Sequence, residues 1–314
     1  MAGQQQSRAG RIFVATPTKL TTWLDCPERY RLTYVDRMPK GPPWAHNSVG
    51  ASLHNALRDW YLLPVPERTP DAAATLVRQD WIDLGFRDAA QSEQWRERAA
   101  RMAARYVAGL DSTDEPVGVE RSVAFRTDHL ALNGRADRID RRTSPEGQEE
   151  LVVVDYKTGR HLLSVADVRS SLALAIYAVA AARTLRAPCR RVELHHLPSG
   201  EVLTWEHDES ALQRHIERAH QIAADASRAE REAERRREDD PDAYVADLFP
   251  PRRGIQCSYC DLVANCAAGL EETNGELPTP WAVLDVWPPE ASAGEPFPAE
   301  AARTGRSGSR TSRS

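Results

Sequence analysis

The run Leu151-Val-Val-Val-Asp155-Tyr156-Lys157-Thr-Gly159 closes a Val-rich stretch on a carboxylate and an ammonium two residues apart. Side chains alternate faces along a strand, so Asp155 and Lys157 project to one side at its end, beside a glycine that lets the backbone turn away. Such a pair holds a hard cation through the carboxylate, while the ammonium steers a water or neutralises charge growing on a phosphate. Its plainer reading is an exposed ion pair worth ~0–1 kcal/mol. Upstream, Asn133-Gly134-Arg135-Ala136-Asp137-Arg138-Ile139-Asp140 places further carboxylates on the preceding strand. Ions of the Mg²⁺ type take one or two carboxylates together with waters and phosphate oxygens, which suits Asp137 with Asp155. On a regular strand Asp140 faces away from Asp137 and reads as a salt bridge to Arg138, Arg141 or Arg142. His54, in Gly50-Ala-Ser-Leu-His54, reads on its own as a helical histidine at a core boundary, and only its partners change that.

A second constellation is Cys257-x2-Cys260-x5-Cys266, three soft ligands in ten residues, which points to a metal centre. A closed site needs a fourth ligand, from Cys26, Cys189 or a histidine such as His195 or His196. Cys26 precedes Pro27 between two helical pieces and suits the role, whereas Cys189 precedes a strand. Four thiolates accept tetrahedral Zn²⁺ or an iron-sulfur cluster, and spacing does not separate the two.

The elements that must position these groups follow from hydrophobic period. Helical spacing runs from Leu20 to Tyr34 with a break at Cys26-Pro27, then over Ser48 to Leu62, then on to about Leu110. Strand patterns follow at Val117 to Phe125, Leu130 to Asp140 and Leu151 to Tyr156, which suggests an antiparallel meander. An Ala/Leu-rich helix is expected over Ser164 to Leu185, a strand pair at Val192 to Leu197 and Glu201 to Trp205, and a long helix beyond Glu209. The charge run Arg228 to Asp240 reads as a solvated helix face. This order implies an α/β (α+β) fold in which a mixed sheet is flanked by helices. The expected division is a disordered 1–14, a domain over 15–268 and a disordered tail over 269–314. Within the domain, 15–112 is helical, 113–208 is the core, and 209–268 carries the long helix and the Cys knot.

Composition bounds the functions available. The 314 residues include 41 Lys and Arg against 46 Asp and Glu, so the net charge of −5 does not mark a general polyanion binder and any nucleic-acid contact rests on local charge. Arg135, Arg138 and Lys40 are the candidates. The longest apolar stretch, Leu172 to Ala182, is about half of what a membrane span needs. An odd cysteine count and the lack of an apolar leader core suggest a reducing, cytoplasmic compartment. The absence of G-x4-G-K-[ST] leaves the chain without a P-loop motor of its own.

Taken in order, Lys19-Leu-Thr-Thr-Trp-Leu-Asp-Cys26-Pro-Glu-Arg-Tyr30-Arg-Leu-Thr-Tyr34, Gly50-x3-His54, Gly134-Arg-Ala-Asp137 with Asp155-Tyr-Lys157, and the closing Cys knot resemble the PD-(D/E)XK nucleases of the RecB and AddB type. The iron-sulfur variety, shared by AddB-like nucleases and CRISPR-associated adaptation nucleases, is the nearest in pattern, and the resemblance covers about residues 17–268. It implies a restriction-endonuclease-like core and metal-dependent DNA exonuclease activity at DNA ends in repair or recombination. The metal ligands it implies for Mg²⁺ or Mn²⁺ are His54, Asp137, Asp155 and the carbonyl of Tyr156, with Lys157 orienting the attacking water. It further implies a [4Fe-4S] cluster on Cys26, Cys257, Cys260 and Cys266 and a DNA contact from Tyr177; Arg135 is a DNA-contact candidate by its charge, and without a P-loop motor duplex ends call for a separate helicase partner. Ala173 stands where the family's Q-x3-Y helix motif has Gln. A catalytically weak DNA-binding or assembly module with the same fold is the alternative that this departure suggests.

Overall fold

The computed structural model describes residues 12–144, 147–160 and 163–287. A six-stranded mixed sheet is built from β1 (Phe13–Ala15), β2 (Gly118–Arg126), β3 (Leu130–Thr143), β4 (Glu149–Lys157), β5 (Cys189–His196) and β6 (Glu201–Glu206). The order is β1-β3-β4-β5-β6, with β2 also paired to β3. The meander β2-β3-β4 is antiparallel, β4 and β5 run parallel, and β6 returns antiparallel.

Alternation along β4 splits the molecule into two cores. Leu151 and Val153 face one core with Leu20, Ile176 and Ile222, whereas Val152, Val154 and Tyr156 face the other with Leu53, Leu57 and Tyr106. The first core is covered by α1 (Pro17–Asp25), α7 (Leu172–Leu185) and α8 (Glu209–Asp239). Behind the second lie α3 (Ala45–Leu62), α4 (Pro70–Gln79) and α5 (Ala89–Ala108). Two short pieces, α2 (Pro27–Tyr30) and a π-helical turn Arg31–Val35, continue α1.

Local chemistry sets the boundaries. Thr69, Asp88 and Asp208 cap α4, α5 and α8 by accepting from Ala72 N, Gln91 N and Ala211 N. The expected single helix over Ser164–Leu185 is two helices, α6 (Val165–Ser170) and α7, because Ser171 is extended and its hydroxyl caps Leu174 N. The charged end of α8 is more than a solvated face. Glu230 accepts from the Tyr30 hydroxyl at 2.6 Å and lies 3.0 Å from Lys19 Nζ, and Arg237 pairs with Asp36 at 2.8 Å, tying α8 to the N-terminal segment.

Both ends of the expected domain move. Phe13 and Val14 pair with Leu130 and Ala131 rather than lying loose. The chain after residue 269 also stays folded, through α9 (Ala267–Glu272) and α10 (Ala282–Asp285), with Leu284 buried and Trp287 edge-on to Trp95. The rest of the expectation for 1–14 and 269–314, at 1–11 and 288–314, lies outside the described residues.

Candidate active site

Strands β3 and β4 part company at the site. Their pairing runs from Thr143↔Glu149 to Arg138↔Val154 and stops, and the start of β3 pairs with β1 instead through Leu130–Leu132. Asp137 thus stands at the crotch of a fork, opposite Asp155, Tyr156 and Lys157. Its Oδ2 accepts from the Tyr156 backbone N–H at 2.8 Å, which anchors the carboxylate and leaves Oδ1 for other partners.

Helix α3 delivers His54 to that oxygen. Gly50 lies one turn before it, and a Cβ there would come within 2.9 Å of Thr158 Oγ1, so a glycine lets the helix close on the end of β4. His54 Nδ1 reaches 3.4 Å from Asp137 Oδ1 and 3.7 Å from Glu120 Oε1. Ligand atoms of His54, Glu120 and Asp137 lie within 4.8 Å of one another, and among the described residues no other group of three His, Cys, Asp or Glu does this. Burial alone would depress the His54 pKa, but hydrogen bonds to Asp137 and Glu120 outweigh it and carry the imidazole up to about 10. A cation ligated here therefore displaces a proton.

Asp155 and Lys157 complete the fork. Lys157 Nζ lies 2.5 Å from Asp155 Oδ2, an oxygen that is buried and has no hydrogen-bond geometry to any partner. Burial drives the Asp155 pKa up against the pull of Lys157, with Asp137 adding repulsion. Burial opposes the charge on Lys157 too, but Asp155 more than compensates and its pKa is raised. Asp155 lies outside the 4.8 Å group of His54, Glu120 and Asp137, and its carboxylate, paired with Lys157, stands beside that group as a further oxygen donor of the kind a hard cation takes.

Around this group stand the two residues expected to touch DNA. Tyr177 lies across Gly134, where a Cβ would come within 2.5 Å of its ring. Burial, then Asp155, Asp137 and Glu120, push the Tyr177 hydroxyl up to about 12, so it feels all three carboxylates. Arg135 is 67% exposed and holds Glu120 Oε2 at 2.6 Å. Arg138 is different: at 3% exposure it is a core residue, donating to the hydroxyls of Tyr61 at 2.7 Å and Tyr106 at 3.0 Å and pairing with Asp140 at 2.9 Å. It offers no surface charge. Lys40 is likewise paired, with Asp261 at 3.2 Å.

Glu120 is the site residue that sequence reading missed. On the β2–β3 register, with Val119↔Arg138 and Arg121↔Ala136, it stands opposite Asp137. Its φ of 47° is left-handed, costly for a glutamate, and strict alternation fails beside it, since Ala136 and Ile139 face the same core. Centring the hairpin between Asp128 and His129 would have put Glu120 across from Asp137 in advance.

The cysteines gather elsewhere. Cys26, Cys257, Cys260 and Cys266 line one cavity of about 410 Å³ with Arg29, Arg252 and Arg253. Cys26 Sγ accepts from Arg252 N at 3.4 Å and Cys266 Sγ from Gly269 N at 3.3 Å. The other candidates for a fourth ligand are engaged or distant: Cys189 is buried in the first core, His195 lies 3.0 Å from Glu193, and His196 lies 2.6 Å from both Ser199 Oγ and Gly159 O.

If Gly50 is the spacer that brings α3 to the fork, Gly50→Val should lower kcat/KM about 10²-fold, the cost of misplacing a catalytic group by roughly 1 Å. The thermal midpoint and far-UV spectrum should change little. Steady-state kinetics beside a thermal melt check this.

The model of the PD-(D/E)XK nuclease superfamily matches residues 14–267. No curated protein matches the chain. Among solved structures, one titled "Crystal structure of SSO0001" aligns over 85% of this chain and 92% of that one, at 14% identity and a TM-score of 0.35.

Proposed function

The chain belongs to the PD-(D/E)XK nuclease superfamily, and we propose that within it the protein is a Mg²⁺- or Mn²⁺-dependent DNA exonuclease of the RecB and AddB type, hydrolysing phosphodiesters at DNA ends in repair or recombination. The observation that carries this is the convergence of His54, Glu120 and Asp137 within 4.8 Å at the fork where Asp155 and Lys157 emerge.

The chemistry that the divalent ion supplies when bound is acidification of a water and neutralisation of charge on the cleaved phosphodiester. Asp137 would ligate through Oδ1 while the Tyr156 N–H holds Oδ2. Asp155 and the Tyr156 carbonyl would complete the cage, with His54 neutral at Nδ1 after losing its proton. Lys157, released in part from Asp155, orients the attacking water and donates to the phosphoryl oxygen as charge grows there. Tyr177 and Arg135 would guide the strand past Gly134. Anaerobic digestion of 5′- and 3′-labelled oligonucleotides in Mg²⁺ or Mn²⁺ tests this reading and gives the polarity. The expected result is metal-dependent shortening that EDTA stops.

One observation favours a second reading. Ala173 lies one helical turn before Tyr177 on the half-buried face of α7 and presents only a methyl group. Tight DNA binding without cleavage in any metal would make the chain a non-catalytic module. A separate helicase would open duplex ends for either function, and the free thiols suit a reducing, cytoplasmic compartment.

For the cysteine cavity the proposed occupant is a [4Fe-4S] cluster. Sulfurs on one zinc at about 2.3 Å are at most ~4.6 Å apart, yet no three of these sulfurs lie within 4.8 Å of one another. A wider cofactor suits a cavity that all four cysteines line; Arg252 stands beside it, while Arg29 and Arg253 are paired with Asp261 and Glu271. Anaerobically purified protein should be brown with broad absorption near ~400 nm. Colourless protein holding one zinc per chain contradicts the assignment.

A further inference from the structure

A second cavity, of about 590 Å³, opens between α6, the end of β6 and the first turns of α8. It lies at the other end of the sheet. Glu206 pairs with Arg191 and Arg191 with Val152, three residues back along β4 from Asp155. That separates it from the fork by roughly 10 Å along the strands and two strand spacings of about 4.8 Å across them.

Its lining is built for a ligand rather than for packing. His207 is 1% exposed, and neither ring nitrogen has a hydrogen-bond partner. Trp205 Nε1 is buried without one as well. Buried polar groups in a folded protein are almost always paired, so three orphan nitrogens on two adjoining side chains call for an occupant. His215 meets His207 edge-on at 5.3 Å and is fixed by its Nε2 lying 3.2 Å from the Arg169 carbonyl.

Charge decides what the occupant is. Arg169, Arg214 and Arg218 line the cavity, with Arg169 stacked over Trp205 at 5.6 Å. Arg214 donates to Ser210 Oγ at 2.9 Å, and among the described residues none of the three arginines is in an ion pair. The cavity's carboxylates are already engaged. Asp208 accepts from Ser210 Oγ and Ala211 N, Glu206 pairs with Arg190, and Glu217 accepts from Gln213. Three guanidinium groups outside any ion pair, beside the N-terminal end of a 31-residue helix, favour phosphate over a cation. The Trp205 indole beside them offers one flat face for a base, with His207 set edge-on to it at 81°.

We propose that this cavity binds a nucleotide phosphate, held by Arg214 and Arg218 with Arg169 closing over it, the base resting on Trp205 and hydrogen-bonded by His207. The proposal does not rest on the nuclease reading, because the cavity shares no residue with the fork. The phosphate has two sources, a free mononucleotide or a nucleic-acid strand, and both are tested.

The experiment uses the full chain carrying Asp155→Asn, in EDTA, so that no turnover intervenes. Calorimetry measures binding of dTMP and of a 5′-phosphorylated dT8, each in that background and with Arg214→Ala/Arg218→Ala added. Both arginines are exposed, so the added changes should leave the fold intact, which a thermal melt verifies. The expected result is at least a tenfold loss of affinity for one ligand, with a lower salt dependence, since each lost phosphate contact lowers the salt slope by about one. Loss of dTMP binding assigns the cavity to free nucleotide, and loss confined to dT8 assigns it to a strand. Unchanged affinity for both, or no binding of either, overturns the proposal. His207→Phe, which fills the same space without hydrogen bonds, should also weaken binding of the assigned ligand; unchanged binding there would remove His207 from the site.

Discussion

Asp155→Asn is expected to lower metal-dependent cleavage by roughly 10³-fold, about 4 kcal/mol of transition-state stabilisation. The amide keeps the shape of the carboxylate but removes the charge that holds both Lys157 and a cation. The same change should leave the metal-free protein no less stable at pH 7. The sign follows from burial, which raises the pKa of Asp155 in the folded chain above its unfolded value. The folded state then holds a proton that the unfolded state releases, so this group favours folding at low pH and opposes it once pH climbs past the folded pKa. The neutral Asn variant escapes that penalty, and Lys157, with its side chain 46% exposed, is left to water at small cost. Kinetics in Mn²⁺ and a thermal melt in EDTA should thus move in opposite directions or the melt not at all. A large drop in the melt would mean that Asp155 is a structural ion-pair partner instead.

Arg138→Met should destabilise the fold by about 3–5 kcal/mol, the usual result of breaking a buried charge network from one side. The guanidinium joins β3 to three tyrosine hydroxyls, Tyr61 from α3, Tyr106 from α5 and Tyr156 from β4, and balances Asp140. A methionine leaves Asp140 to Arg142 alone and takes from the Tyr61 and Tyr156 hydroxyls their guanidinium donor, while Tyr106 keeps His195 Nδ1 at 2.9 Å. Arg138→Lys should fall between, since one ammonium cannot reproduce the guanidinium's fork of donors. Arg135→Ala, three residues away and exposed, should change stability by less than about 0.5 kcal/mol. Urea denaturation of the three variants distinguishes the core arginine from the surface one. Comparable effects for Arg135 and Arg138 would contradict the network.

The two arginines also show where reading the sequence reached and where it stopped. Period-two patterning marked β4 and put Asp155 and Lys157 on one side of its end, because a strand's geometry is local. The same rule failed in β3, where alternation breaks opposite the left-handed Glu120 of β2, so neither the burial of Arg138 nor the place of Glu120 followed from spacing. The approach of His54 to Asp137 spans 83 positions and depends on how α3 packs on β4, which only tertiary contact at Gly50 and Thr158 determines. Ser171 shows a smaller case: its hydroxyl starts a new helix inside an Ala/Leu run that reads as one. Soft-ligand chemistry and the Pro27 neighbour set Cys26 beside the distant Cys knot, and the four cysteines do line one cavity, whereas the cavity at Trp205 and His207 had no sequence signal, since its arginines and rings come from three separate elements.

The claim on which all of this turns is that the fork cages a hard cation. Titration of the full chain with Mn²⁺, following the electron paramagnetic resonance signal of the free aquo ion, measures that directly. Depletion of the signal at one or two ions per chain is predicted, with the depletion lost in Asp137→Asn/Asp155→Asn and unaffected by Arg214→Ala/Arg218→Ala. A free-ion signal that rises in step with added Mn²⁺ from the first aliquot, or depletion that survives loss of both aspartates, would contradict the account.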